Sequence, residues 1–234
     1  MIRAVLLDFY GTLVDEADES IAEICALVAA RAQAAAGVDG AAAPSPAQVD
    51  EAWRGAFVDA IADSGGAGFR TLRAATEASL SAVLERFGVA GAPAGAAELC
   101  EIQAAYWRRP TIAPETRAFL AALSVPVCVV SNVDSADLRT ALDHLELSFE
   151  HVVTSEDERS YKPEGRMFAA ALTRLGLPAA QVLHVGDSLS ADIGGGAAAG
   201  LPTAWVNRAG RANPGPHRPD HEVDDLTKLL PLFA

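Results

Sequence analysis

The chain has 234 residues, of which 50% are hydrophobic, and carries a formal net charge of −13. This length and apolar content allow one large domain, or a core with an insert, without disulfide support. The charge argues against nucleic acids and anionic membranes as partners. The three cysteines lack CxxC spacing, which favours a reducing compartment. The N-terminal apolar run is too short for a signal peptide, so we expect a cytoplasmic location.

The first part of the chain predicts one strand followed by helices. RAVLLD, residues 3–8, is a short apolar run that ends on Asp8 and predicts a buried strand. Residues 16–108 have helical apolar spacing without a strand signal, in the segments 20–33, 46–62, 72–88 and 96–109. Residues 34–48 are rich in Ala, Gly and Pro and predict a loop. An all-helical insert therefore follows the first strand.

From Pro114 onward, strands and helices alternate. Strands are expected at 125–132, 149–155, 180–188 and 202–207, and helices at 135–145, 163–177 and 191–201. Such alternation predicts βαβ units and a parallel sheet covered by helices on both faces. We therefore expect an α/β fold, in which residues 1–15 and 109–234 form a doubly wound, Rossmann-like core and residues 16–108 form the helical insert.

Polar residues collect at the expected strand ends. They are Asp8, Ser131, Asn132, Lys162, Asp187 and Asp192. In an open parallel sheet, ligands bind beyond the carboxyl ends of the strands, so these side chains are expected to share one edge. Taken singly, each has an ordinary structural alternative, because strand-end aspartates often cap helices and loop lysines are usually solvated. Their common placement favours a site.

Four short motifs resemble those of the haloacid dehalogenase superfamily. They are DFYGTL at 8–13, VVSN at 129–132, YKPEGRMF at 161–168 and HVGDSLSAD at 184–192. The resemblance covers nearly the whole chain, and the helical insert lies where that superfamily carries its C1 cap domain. It implies a hydrolase in which Asp8 is the nucleophile and forms a covalent aspartyl intermediate that water hydrolyses.

The resemblance also implies roles for other polar residues. Thr12 and Ser131 would donate hydrogen bonds to the transferred group, and Asn132 is a further substrate-binding candidate. Lys162 would neutralise charge on that group and on Asp8.

A Mg²⁺ cofactor is implied as well. Its ligands would be Asp8, Asp187, Asp192 and the backbone carbonyl of Tyr10, because Mg²⁺ prefers hard oxygen ligands. His184, one position short of this edge, is expected to be a packed core residue.

Tyr10 leaves two reactions open. Phosphatases of the superfamily have a second aspartate here, which protonates the leaving alcohol and is worth roughly 10²–10⁴ in rate. A tyrosine predicts a weakened phosphatase, unless Glu16, Asp18 or Glu19 supplies the proton. It also suits halide displacement, which needs no acid, and the superfamily's 2-haloacid dehalogenases carry tyrosine at this position.

Two further features favour opposite reactions. AWRGAF at 52–57 resembles the dehalogenase segment whose arginine holds the substrate carboxylate. Arg54 is therefore an anion-binding candidate, with an exposed helix arginine as the alternative, and Phe69 is a candidate pocket wall. Dehalogenases, however, use no metal and have serine and asparagine where this chain has Asp187 and Leu189. Two close carboxylates without a metal would raise one pKa and weaken the nucleophile.

We therefore predict Mg²⁺-dependent hydrolysis of a small phosphorylated metabolite. L-2-haloacid dehalogenase chemistry is the first alternative, and a catalytically silent phosphate-binding relative is the second. The expected partner is a small anionic molecule, neither nucleic acid nor membrane, and the expected state is a monomer or homodimer.

Overall fold

The computed structural model describes residues 1–36, 43–62, 64, 66–91 and 95–233. Within them, one sheet contains β1 (Ala4–Leu7), β2 (Val127–Ser131), β3 (His151–Thr154), β4 (Val182–Gly186), β5 (Thr203–Val206) and β6 (His221–Val223). All pairings are parallel, and the order is β3-β2-β1-β4-β5-β6. The direction of winding changes between β1 and β4, which is where such sheets bind ligands. The predicted doubly wound α/β class is confirmed.

The helices fall into two groups. The insert contains α1 (Asp18–Ala36), α2 (Pro46–Ala62), α3 (Leu72–Arg86) and α4 (Ala96–Arg108). The strands are flanked by α5 (Thr116–Ala122), α6 (Ser135–His144), α7 (Ser155–Glu158), α8 (Gly165–Leu175) and α9 (Gly195–Ala198). Short 3₁₀ helices occur at Gly66–Gly68, Ala179–Gln181 and Leu226–Phe233. Sequence periodicity had not predicted α5, α7, β6 or any of these 3₁₀ helices.

Each face of the sheet has its own core, because successive side chains of a strand point to opposite faces. Val5 of β1 belongs to a buried cluster that also contains Leu72 and Trp107 of the insert. Its neighbour Ala4 belongs to the opposite cluster, together with Phe168 of α8. Another buried cluster is formed by residues of α1–α4 together with Val89, and none of its described residues belongs to the sheet. The insert therefore packs internally, and Leu72 and Trp107 also join it to the core on one side of the sheet.

The prediction of one regular α-helix at 191–201 is wrong, because the helical segment begins earlier and is not α-helical throughout. A π-helical turn covers Leu189–Gly194, and α9 covers only Gly195–Ala198. Within the turn, Asp192 points inward and accepts a hydrogen bond from the Ser188 backbone N–H at 3.0 Å. A side-chain bond to the backbone competes with regular helix, and π turns often occur at functional sites.

The remaining predictions concern the loop between α1 and α2, membrane-spanning helices and the cysteines. Helix α1 ends at Ala36 and α2 begins at Pro46, and residues 37–42 of the predicted loop lie outside the described residues. Among the described helices, none has the length and apolar character that crossing a bilayer requires. The cysteines are free and buried.

Candidate active site

Three acids meet at the carboxyl edge of β1 and β4. Asp8 follows β1 and Asp187 follows β4, and these two strands pair in parallel. The Asp8 backbone N–H donates to the carbonyl of Val185 at 2.9 Å, which extends the pairing as far as the site. Carboxylate oxygens of Asp8, Asp187 and Asp192 all lie within 4.8 Å of one another. Strand pairing thus joins acids from opposite ends of the chain.

Lys162 is the cation on the inner side of this acidic cluster. Its Nζ lies 2.8 Å from Asp8 Oδ1 and 2.6 Å from Asp192 Oδ1. Burial alone would lower the pKa of Lys162, but the two carboxylates outweigh it and raise this pKa. Asn132 holds the lysine backbone, because its Oδ1 accepts from the Lys162 N–H at 2.7 Å and its Nδ2 donates to the carbonyl at 3.1 Å. Both polar ends of the Asn132 side chain are therefore engaged within the protein.

Asp192 is fully buried and accepts hydrogen bonds on both carboxylate oxygens. Besides Lys162, His184 Nε2 lies 3.0 Å from its Oδ1, and the Ser188 N–H donates to its Oδ2. Burial opposes ionisation, but Lys162 and His184 outweigh it and lower the pKa of Asp192. A Cβ on Gly186 would lie 2.2 Å from Asp192 Cγ, so glycine makes room for this side chain. His184 is buried as predicted, but its contact with Asp192 was missed.

Asp187 lies on the outer side of the cluster, with its side chain 17% exposed. Burial, then Asp192 and Asp8, raise the pKa of Asp187 well above its ordinary value. Gly11 packs against it with a φ of +80°, and a Cβ there would lie 2.6 Å from Asp187 Cγ. Burial also raises the pKa of Asp8, although Lys162 opposes this shift. The cluster therefore holds more negative charge than Lys162 offsets.

The two predicted hydroxyl donors are buried near the nucleophile. Thr12 follows Asp8 in the same loop, and Ser131 ends the neighbouring strand β2. Thr12 Oγ1 has no hydrogen-bond partner among the described residues. Because an unpaired buried polar group costs about 1–3 kcal/mol, this hydroxyl is available to a ligand that accepts a hydrogen bond.

Tyr10 is directed toward the insert. Its hydroxyl donates to the backbone carbonyl of Trp107 in α4 at 2.6 Å. Its ring packs edge-on against Phe9, with the centroids 5.0 Å apart. Burial raises the pKa of Tyr10, so the phenol stays protonated and its proton stays in this bond.

The two candidates from the insert have different surroundings. Phe69 stacks on Tyr161, the residue before the site lysine, with ring centroids 5.3 Å apart. Arg54 pairs with Asp50 at 2.9 Å, one helical turn away, and its side chain is 68% exposed. Arg54 also lines an apolar pocket of about 230 Å³ between the insert helices. Phe69 thus reaches the lysine loop, whereas Arg54 lies at the surface of the insert.

A family model of haloacid dehalogenase-like hydrolases matches residues 2–200. The chain belongs to this family, which confirms the resemblance of its four motifs.

Relatives of the chain include both reaction types. It is 28% identical over 123 residues to the (S)-2-haloacid dehalogenase of Pseudomonas sp. strain YL, covering 51% of this chain and 53% of that one. It is 36% identical over 109 residues to the pyrimidine 5′-nucleotidase YjjG of Escherichia coli K12, covering 45% and 48%. The chain spans about half the length of the curated relatives it matches. Magnesium-bound YfnB of Bacillus subtilis shares the fold, with a TM-score of 0.73 and 23% identity over 99% and 98% of the two chains.

Proposed function

We propose that the protein is a Mg²⁺-dependent phosphatase acting on a small phosphorylated metabolite. The observation that carries this proposal is the position of Asp187. Its carboxylate lies beside those of Asp8 and Asp192, with oxygens of all three within 4.8 Å of one another. Burial and this crowding raise the pKa of both Asp8 and Asp187, and protonation would disable a nucleophilic carboxylate. A divalent cation offsets the crowding, whereas Asp187 only harms a reaction that uses no metal.

The donor set fits Mg²⁺, which prefers hard oxygen ligands. Asp8, Asp187 and the backbone carbonyl of Tyr10 would hold the ion. Asp192 belongs to the same cluster, but its oxygens already accept hydrogen bonds from Lys162 and from the backbone, so we assign it mainly to holding the lysine. When bound, the ion supplies positive charge to the phosphoryl group being transferred.

The chain's own residues would carry out two covalent steps. A carboxylate oxygen of Asp8 attacks phosphorus, the P–O bond to the alcohol breaks, and an aspartyl phosphate forms. Water then attacks the same phosphorus, which releases phosphate and restores Asp8. Lys162, 2.8 Å from Asp8, neutralises charge in both steps, and the hydroxyls of Thr12 and Ser131 donate to the phosphoryl oxygens.

The leaving alcohol must also gain a proton. Tyr10 is not free to supply it, because its hydroxyl donates to the Trp107 carbonyl. We therefore expect a preference for esters whose leaving group needs little protonation, such as aryl phosphates.

Halide displacement is the second candidate, and the same tyrosine favours it. A halide leaves as a stable anion and needs no acid, and the relatives include an (S)-2-haloacid dehalogenase. In this reaction Asp8 would attack the halogen-bearing carbon, halide would depart, and water would hydrolyse the resulting ester. The pairing of Arg54 with Asp50 weakens this candidate, because that arginine was expected to hold the substrate carboxylate.

One paired assay separates the two candidates. Hydrolysis of an activated aryl phosphate is measured with Mg²⁺ and with EDTA, beside chloride release from a short 2-chloroacid in EDTA. Phosphate release that needs Mg²⁺ is the expected result. Chloride release in EDTA without phosphatase activity would overturn the proposal and favour the dehalogenase.

A further inference from the structure

Arg211 is a second cation beside the acidic cluster, on the loop that follows β5. Its guanidinium nitrogen lies 3.7 Å from Asp187 Oδ2, 3.3 Å from Glu16 Oε1, and 3.2 Å from the Asp187 carbonyl. Lys162 contacts Asp8 and Asp192 instead. Among the described residues, Arg211 is the cation within ion-pair distance of Asp187.

The loop places this arginine through its backbone. Asn207 Oδ1 accepts from the Arg211 N–H at 2.7 Å, and Asn207 Nδ2 donates to the Arg211 carbonyl at 2.9 Å. The indole of Trp205 donates to the Asp187 carbonyl at 2.8 Å, which joins β5 to the same corner. The backbone at Arg211 is thus held, while its side chain, 43% exposed, can move between neighbouring carboxylates.

Two carboxylates share that side chain. Glu16 lies at the start of the insert and Asp187 in the acidic cluster, and the guanidinium lies between them. Pockets of about 230 and 290 Å³, both lined by Arg211, give the side chain room on either side. Contact with Glu16 at 3.3 Å is the closer of the two carboxylate contacts, so Asp187 can be released without leaving the arginine unpaired.

We propose that Arg211 and a divalent cation compete for Asp187, so that Arg211 sets the metal affinity of the site; this inference rests on the proposed function. Two positive groups cannot both bind one carboxylate at full strength, because they repel each other at short range. Metal entry therefore moves Arg211 toward Glu16. By linkage, a bound metal weakens the hold of Arg211 on Asp187 by the same factor by which that hold weakens metal binding.

Mg²⁺ titration of the intact, substrate-free protein by calorimetry tests this proposal. Arg211→Gln removes the competing charge and should tighten Mg²⁺ binding by about two- to fivefold, a modest factor because solvent screens an exposed guanidinium. Arg211→Lys keeps the charge and should stay closer to the wild-type protein. Arg218→Gln is the matched control, since it makes the same change in net charge on the same loop, where Arg218 bonds the Gly215 carbonyl.

The outcomes separate this inference from the proposed function. Equal or weaker Mg²⁺ binding by Arg211→Gln, beside a wild-type protein that binds Mg²⁺, overturns the competition and leaves the phosphatase proposal standing. Tighter binding by both Arg211→Gln and Arg218→Gln reduces the effect to net charge and also overturns it. Absence of binding in every variant overturns both proposals. Thermal unfolding with EDTA confirms that each variant is folded.

Discussion

The parallel sheet and the helical insert contribute different kinds of groups to the site. The loops at the sheet edge supply charged side chains, above all Asp8, Lys162 and Asp187. The insert meets those loops through apolar side chains, such as Phe69 on Tyr161, and also through backbone groups. The Tyr10 hydroxyl donates to the Trp107 carbonyl, and the Tyr161 hydroxyl donates to a second insert carbonyl at 2.8 Å.

Helix α3 gives the clearest example of this backbone contact. Asp134, in the loop after β2, accepts from the backbone N–H groups of Leu72 at 2.6 Å and Arg73 at 3.0 Å. A carboxylate at a helix N-terminus pairs with otherwise unsatisfied donors and with the helix dipole. These two bonds use backbone groups of α3, which are present whatever its side chains are, whereas the carboxylate that accepts them belongs to a loop of the sheet.

The largest effect is expected at the nucleophile. Asp8→Asn should lower phosphatase turnover by roughly 10⁴ or more, because the covalent step is lost. Asp192 still pairs with Lys162 at 2.6 Å, so the fold should persist. Turnover is measured with an aryl phosphate and folding by thermal unfolding. Residual activity near the wild-type level would contradict an aspartyl intermediate.

Tyr10→Asp tests whether the site lacks a general acid because the Tyr10 hydroxyl is bonded to the Trp107 carbonyl. A carboxyl at this position can protonate a leaving alcohol, so turnover of alkyl phosphates should rise about tenfold or more relative to aryl phosphates. Tyr10→Phe is the control, because it also removes the bond to Trp107 but supplies no acid. An equal rise in both variants would trace the gain to the lost bond with Trp107, and no gain in Tyr10→Asp would mean that another residue already protonates the alcohol.

Asp134→Ala tests the docking of α3. Loss of a helix-capping carboxylate costs about 1 kcal/mol, which corresponds to about a fivefold rise in KM if docking of the insert completes the substrate site. Thr71→Ala is the matched control. The Thr71 hydroxyl accepts from the Ala74 N–H within the insert, so its loss weakens the same helix end without releasing the insert from the sheet. KM values that change equally in both variants would argue against a docking role.

The smallest effect concerns stability and pH. The folded-state pKa of Asp187 is raised, so its ionised form destabilises the fold once the pH exceeds the unfolded pKa of about 4. In EDTA at neutral pH, Asp187→Asn should therefore raise Tm by about 2–4 °C, the shift for about 1 kcal/mol in a chain of this size. The difference should shrink as the pH falls toward about 4. Mg²⁺ should raise the Tm of the wild-type protein but not that of Asp187→Asn. A wild-type Tm that Mg²⁺ leaves unchanged would contradict the metal site.

Much of the architecture followed from the sequence alone, because it depends on local patterns. Apolar runs ending at Asp8 and Asp187 predicted two strands of one parallel sheet, and apolar spacing over 16–108 predicted helices. The rule that ligands bind at the carboxyl ends of parallel strands was sufficient to group the acids with Lys162. These inferences need only the spacing of apolar residues along the sequence and the sheet topology that this spacing favours.

Tertiary structure decided the partners of each polar group. Tyr10 bonds a carbonyl 97 residues away, and Arg211 meets Glu16 across nearly the whole chain, so no local spacing could indicate either contact. The inward turn of Asp192 toward His184 arises from a π-helical turn that replaced a predicted helix. Whether a hydrogen bond forms depends on differences of a few tenths of an ångström in the donor–acceptor distance, and that distance is fixed only once the separate elements have packed.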